Sequence, residues 1–204
     1  MDDAVFSTPS LLPDWTVGHV VAHPALNGEG LAGALDGVAS GVPRPMYASQ
    51  EARDADIATL GVASPGDLRS RLMASTELFD REVSDLPDDK WETVIERTPG
   101  KPAFSARSTV LMRVREVEIH HADLGVGYTA ADWPAVFSTL VIDSMRKRDW
   151  PTPFQVLARD LAQTRSYRRG RAHLDRDRHS VGHCVVADRT RRRQHPDRRP
   201  RRAA

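Results

Sequence analysis

From Arg165 to Ala204 the sequence contains no Phe, Trp, Ile or Met, and it carries 14 Arg against 4 Asp, with no Lys or Glu. A segment of that composition cannot bury enough apolar surface to offset the entropy of ordering it. Any substantial core must therefore come from residues 1–164, which is length enough for one good core or two small ones. The whole chain has a formal net charge of +1, so a tail at +10 leaves the body at about −9. The sequence reads as an acidic folded body, with residues 165–204 as a basic tail expected to be disordered or irregular.

The body excludes several classes of protein. Its apolar runs are broken by Gly, Pro or charge within about ten residues, short of the roughly 20 needed to span a bilayer. The start, Met1-Asp2-Asp3, is acidic and lacks the basic, then apolar, pattern of a secretory signal, so a cytoplasmic location is expected. Cys184 is the single cysteine, which rules out an internal disulfide framework and a Cys-rich zinc site. A metal, if bound, must be held by His and carboxylates.

Helical periodicity dominates. Thr16 or Asp14 can cap a helix running from Val17 to Leu35, and Gly41 to Pro45 ends it. A shorter helix is expected over Ser49–Leu60. Ser64-Pro65 starts a third, with Leu68, Leu72, Leu78 and Phe79 as candidate core residues. Turn formers at Asp88–Trp91 and Thr98–Pro102 precede the strongest helical pattern, Ser105–Leu124. There Val110, Val114, Val117, His121 and Leu124 share one face, expected to be the core face. A last helix is expected from Trp133-Pro134 to Arg146. Strand signals before residue 150 are weak, so the expected class is all-α, a helical bundle.

Two of these helices present ligand-type residues four apart, His19 and His23 on the first, Glu116 and His120 on the fourth. Residues at i and i+4 lie on one helix face, so two packed helices can converge three or four ligands inside a bundle. Three protein ligands with one position open is the arrangement of catalytic zinc. Taken alone the Glu/His pair has little specificity, and a solvated helix-face pair is its ordinary reading. Glu118 and His121 form a rival pair, although His121 reads better as a hydrogen-bonded core histidine. His19 can be a ligand, a supporting donor or a packed residue. Trp15 and Trp133 read as core anchors.

The stretch Leu11-Leu-Pro-Asp-Trp-Thr-Val-Gly-His-Val-Val-Ala-His, with Asn27-Gly-Glu-Gly-Leu beyond it, resembles the first block of the mycothiol-dependent maleylpyruvate isomerase family. Pro45-Met-Tyr-Ala-Ser-Gln-Glu-Ala-Arg-Asp-Ala-Asp-Ile and Arg115-Glu-Val-Glu-Ile-His-His-Ala-Asp-Leu-Gly-Val-Gly-Tyr-Thr resemble the second and third, and Ala131-Asp-Trp-Pro follows. The similarity runs in order over roughly residues 5–160. It implies a DinB-like, metal-binding four-helix bundle over 1–150, its first helix missing or incomplete, then the start of a truncated C-terminal domain over 151–164. It places the metal ligands on His23, Glu116 and His120, with zinc as the metal and mycothiol as the thiol cofactor. Asp123 is then a candidate to orient a metal-bound His.

The activity implied is the cis-trans conversion of maleylpyruvate to fumarylpyruvate in aromatic breakdown. Rotation about a conjugated double bond requires its order to be lowered transiently, and a thiolate that adds and then leaves does this. A free thiol with pKa near 8.5 is mostly protonated at neutral pH, whereas coordination to a divalent metal deprotonates it. The nucleophile belongs to mycothiol, so the protein needs no catalytic cysteine of its own.

Three features depart from the family pattern. Pro24 follows the proposed ligand His23, and proline inside a helix costs about 3 kcal/mol, so His23 is expected to be displaced. A bundle short of a helix would expose an apolar groove, which favours homo-oligomers. Back-translation of Cys184-Val-Val-Ala-Asp-Arg-Thr with GC-rich codons, shifted by one base, gives Ala-Trp-Trp-Leu-Thr-Gly-Arg, which resembles the family's C-terminal domain. A frameshift between about residues 155 and 182 would produce this. It would remove the arginine that the family is thought to use for substrate carboxylates.

Other readings remain open at this level: a metal- and thiol-dependent S-transferase or hydrolase on the same bundle, and a metal-binding remnant without catalysis. The Arg-rich tail can attract phosphate, but Tyr167 is its single aromatic for base stacking, so nucleic acid is a weak candidate partner.

Overall fold

The computed structural model describes residues 1–101, 103–146, 148, 150–158, 163–167 and 183–187. The chain divides into two compact units, Met1–Thr129 and Ala130–Ala204.

The first unit opens with a short 3-10 helix, Asp3–Ser7, and then builds four α-helices. Helix α1, Val17–Ser40, starts where the Thr16 hydroxyl accepts from the His19 backbone N–H while the His19 ring faces the Thr16 N–H, a reciprocal capping box. It stops at Gly41, whose φ of +72° favours glycine. Helix α1 is the centre of the unit and packs against α2 (Gln50–Leu60), α3 (Pro65–Asp85) and α4 (Ser108–Asp123). Ser49 and Ser64 cap α2 and α3 through their hydroxyls, and Pro65 occupies the first turn of α3, where its missing N–H costs nothing.

Pro24 does not interrupt α1, contrary to the displacement expected for His23. The helix is buried along most of its length, and that packing outweighs the local loss of one backbone hydrogen bond. One core cluster gathers Leu31, Leu35, Val38, Phe79, Leu86 and Ile95, and a second gathers Phe6, Val17, Val21, Leu60 and Leu68. Leu68 and Phe79 are buried as expected, and Leu72 and Leu78 pack at the edges of these clusters.

Helix α4 is rotated relative to its expected orientation. Val110, Val114 and Val117 are 41, 40 and 45% exposed, and His121 is exposed, while Thr109 and Arg113 are buried. The polar face turns inward because it finds partners there. Thr109 donates to the Ala106 carbonyl at 2.7 Å, and Arg113 donates to the Pro24 carbonyl and, at 3.0 Å, to Thr76 Oγ1. Satisfied polar groups can be buried at modest cost.

An all-α class is also corrected. Strands β1 (Val94–Glu96) and β2 (Ala103–Ser105) pair antiparallel, with Ile95 opposite Phe104, across the turn formers that follow Thr98. Three-residue strands carry too little alternation to be legible.

The second unit contains α5 (Ala135–Met145) and a three-stranded sheet of β3 (Phe154–Ala158), β4 (Gln163–Tyr167) and β5 (His183–Ala187), in the order β4-β3-β5. β4 runs antiparallel and β5 parallel to β3. Residues 165–167 and 183–187 are therefore regular strand, not irregular tail. Tyr167 stacks on Phe154 at 4.7 Å and donates to the Ile142 carbonyl at 2.8 Å, and Arg165 pairs with Asp143 at 2.7 Å. Aromatic stacking and backbone pairing supply what composition alone did not suggest. The expectation of disorder over 168–182 and 188–204 concerns residues outside those described. Among the described residues no helix is long and apolar enough to cross a membrane.

Candidate metal centre

His23 lies on the face of α1 that packs against α4, and α4 brings Glu116 and His120, one turn apart, to meet it. Glu116 Oε2 stands 2.9 Å from His23 Nε2 and 3.2 Å from His120 Nε2, and one donor atom from each of the three residues lies within 4.8 Å of the others. The two imidazoles are 4.6 Å apart and steeply inclined. His23 is buried, and Trp15 sets its edge against the ring at 5.7 Å, closing one side of the centre.

The donor set fits a divalent cation. Glu116 Oε2 is buried, yet despite these short distances neither imidazole directs an N–H at it in hydrogen-bonding geometry. His120 Nδ1 is 2.9 Å from Asp123 Oδ2, which places the ring proton on Nδ1 and leaves Nε2 as a lone pair facing the carboxylate. Acceptors converging on acceptors are costly without a positive charge between them, and a metal ion supplies one.

Without a metal ion, a proton can take the place of the cation between the imidazoles and the carboxylates. Burial pushes the His23 pKa down, with the Arg53 charge adding to the effect, so the imidazole is held neutral as a ligand must be. Burial would also lower His120, but the carboxylates of Glu116 and Asp123 outweigh it and raise its pKa. Burial would raise Glu116, but His120 and His23 overcome it and hold the carboxyl far below its usual range.

The remaining sequence candidates fall elsewhere. His19 caps α1, with Nδ1 2.7 Å from the Thr16 hydroxyl, and does not join the three. Glu118 accepts from the Tyr128 hydroxyl at 2.6 Å, and His121, expected in the core, stacks on the Tyr128 ring at 3.8 Å on the exposed face of α4. The rival pair thus serves the Tyr128 loop. Trp133 packs edge-on against Phe137, as an anchor should.

Arg53 on α2 is a site residue that periodicity does not single out. Its Nη2 lies 3.2 Å from both His23 ring nitrogens, and it also lines a cleft of about 280 Å³ between α1 and α2 with Tyr47, Glu29 and Asp56. Its position within the Pro45–Ile57 block was the available signal. Asn27, one turn beyond His23 on α1, is also buried, and its Oδ1 has no hydrogen-bond partner.

The family model for the mycothiol maleylpyruvate isomerase N-terminal domain matches residues 1–125. Two solved structures are similar over most of the chain: the crystal structure of the mycothiol-dependent maleylpyruvate isomerase and that of a histidine-to-alanine mutant of the same enzyme. Each aligns at a TM-score of 0.78 and 27% identity, covering 93% of this chain and 76% of that chain. No curated protein matches.

Proposed function

Since the chain belongs to the mycothiol-dependent maleylpyruvate isomerase family, we propose that it is a metal- and mycothiol-dependent cis-trans isomerase acting on maleylpyruvate, with His23, Glu116 and His120 as metal ligands. Zinc is the metal this donor set suits, because two imidazoles and one carboxylate match a tetrahedral ion that keeps one position open. Bound there, zinc would supply the charge that keeps an incoming thiol deprotonated at neutral pH. The same reading takes the first 150 residues as a DinB-like four-helix, metal-binding domain, 151–164 as the start of a further domain, and the cytoplasm as the location.

The protein's own residues set up this chemistry. Glu116 brings negative charge to a buried site. Asp123 fixes the His120 ring so that Nε2 faces inward. Trp15 packs edge-to-face with the His23 ring. Burial holds His23 neutral. The observation that carries the reading is the buried, unpartnered Glu116 Oε2 between two imidazole nitrogens.

The test follows maleylpyruvate by absorbance with zinc-loaded protein, with and without mycothiol. Conversion to fumarylpyruvate that requires both the thiol and His120 supports the proposal. A chain that binds zinc yet leaves maleylpyruvate unchanged with mycothiol present refutes it.

A further inference from the structure

Two arginines of the first unit present the same fork of donors in different circumstances. Arg71 uses Nε and Nη2 together, donating to the two Glu29 oxygens at 2.7 and 2.9 Å. Arg53 has the same edge with no carboxylate on it. Its Nη1 pairs with Asp54 at 2.6 Å, but its Nε is buried without a partner, and its Nη2 faces the His23 ring. If His23 Nε2 is a metal ligand, Nδ1 carries the ring proton, so neither ring nitrogen can accept from Nη2. The Nε–Nη2 edge then brings two donors and a full positive charge beside the centre, with Nε left without an acceptor.

We propose that Arg53 is the carboxylate-binding residue of this site, gripping a substrate carboxylate through its Nε–Nη2 edge next to the ion held by His23. The inference rests on the reading of His23, Glu116 and His120 as metal ligands. Planar, two-pronged pairing with a carboxylate is what this edge is shaped for, as Arg71 demonstrates within the same protein. Arg53 lines the α1–α2 cleft as well as touching His23, so a small acid seated in the cleft meets a guanidinium that also contacts a proposed metal ligand. The acidic wall of the cleft favours a carboxylate, with one charge on each group, over a phosphate that concentrates two charges on one group. Glu29 is neutralised by Arg71, but Asp56 also lines the wall and repels excess negative charge. Tyr47 lies beneath the guanidinium at 5.8 Å and keeps it in place by a cation–π contact.

The experiment uses the full chain, zinc-loaded and metal-free, with maleate as the probe and its uncharged diamide, maleamide, as the control, by titration calorimetry. Arg53→Gln should weaken maleate binding at least about tenfold, as loss of a charge-assisted pair does, while zinc content and maleamide binding stay at the wild-type level. Arg53→Lys, which keeps the charge and loses the fork, should fall between. Unchanged maleate affinity in Arg53→Gln would overturn the proposal, as would a loss of maleate binding that only follows loss of zinc. The metal-free arm separates the two readings. A wild-type chain that takes up no zinc removes the metal assignment, while the maleate difference between wild type and Arg53→Gln still decides the role of Arg53.

Discussion

Asp123 Oδ2 stands 2.9 Å from His120 Nδ1, while Glu116, one turn before His120 on α4, faces the opposite nitrogen of the same ring with its carboxylate. The imidazole is thus clamped between two acids, one fixing its proton and the other sharing its lone-pair side. Supporting contacts of this kind tune metal sites by about 10- to 100-fold in affinity. Asp123→Asn should weaken zinc binding by that factor without unfolding the protein, since the Leu11 N–H bonds to the Asp123 backbone carbonyl, which the substitution leaves in place. Competition with a calibrated zinc chelator measures it, and an affinity equal to wild type would show that Asp123 has no part in the centre.

Arg113 ties α1, α3 and α4 together. It is 5% exposed and donates to the Pro24 carbonyl of α1 and to Thr76 of α3. Replacing it with Met keeps much of the volume and removes both bonds, leaving a buried carbonyl with fewer donors. A loss of about 2–3 kcal/mol is expected, read as a lower urea midpoint at unchanged slope.

Gly61, at the end of α2, has no room for a side chain. A Cβ there would stand 2.5 Å from His19 Cδ2 and 2.7 Å from Cγ. The His19 ring cannot swing away without leaving the Thr16 hydroxyl that caps α1. Gly61→Ala should therefore destabilise the protein by about 1–3 kcal/mol, as overpacking does, and Gly61→Ala combined with His19→Ala should recover part of that loss. Additive effects in the double variant would place the strain elsewhere.

Much of this was legible in the sequence because it is local. The starts of α1, α2 and α3 and the break at Gly41 are set by side chains within four residues of the helix ends; the pattern marks the starts near Thr16, Ser49 and Ser64, with Asp14 as an alternative cap of α1, and the break at Gly41, although α1 runs on from Leu35 to Ser40. The meeting of His23 with Glu116 and His120 was legible through spacing joined to family resemblance. The orientation of α4 was not. Val110, Val114 and Val117 look like a core stripe, but the choice of buried face was made by partners distant in sequence, the Pro24 carbonyl and Thr76, that satisfy Arg113. Arg53 escaped for a similar reason, since its neighbours on His23 and Tyr47 come from other segments.

The two histidines give metal-free protein a stability that peaks with pH. The folded His23 pKa lies below its ordinary 6.5, so as pH rises toward that value the unfolded chain holds the extra proton and stability rises. The folded His120 pKa lies above 6.5, so its contribution is full below that value and is lost as pH climbs through the raised pKa. Urea midpoints of the metal-free chain between pH 5 and 8 should therefore be greatest near 6.5, and His120→Gln should abolish the decline on the alkaline side. A decline that persists in that variant would assign it to another group.

The most direct measurement is X-ray absorption at the zinc edge on full-length protein loaded with one equivalent of zinc, beside His23→Ala, Glu116→Ala and His120→Ala. The expected spectrum shows two imidazole nitrogens and a carboxylate oxygen near 2.0–2.1 Å, completed by a light atom that mycothiol replaces with sulfur near 2.3 Å, and each variant is expected to lose tight zinc. Wild-type protein that takes up no zinc, or three variants that retain it with an unaltered spectrum, would contradict it.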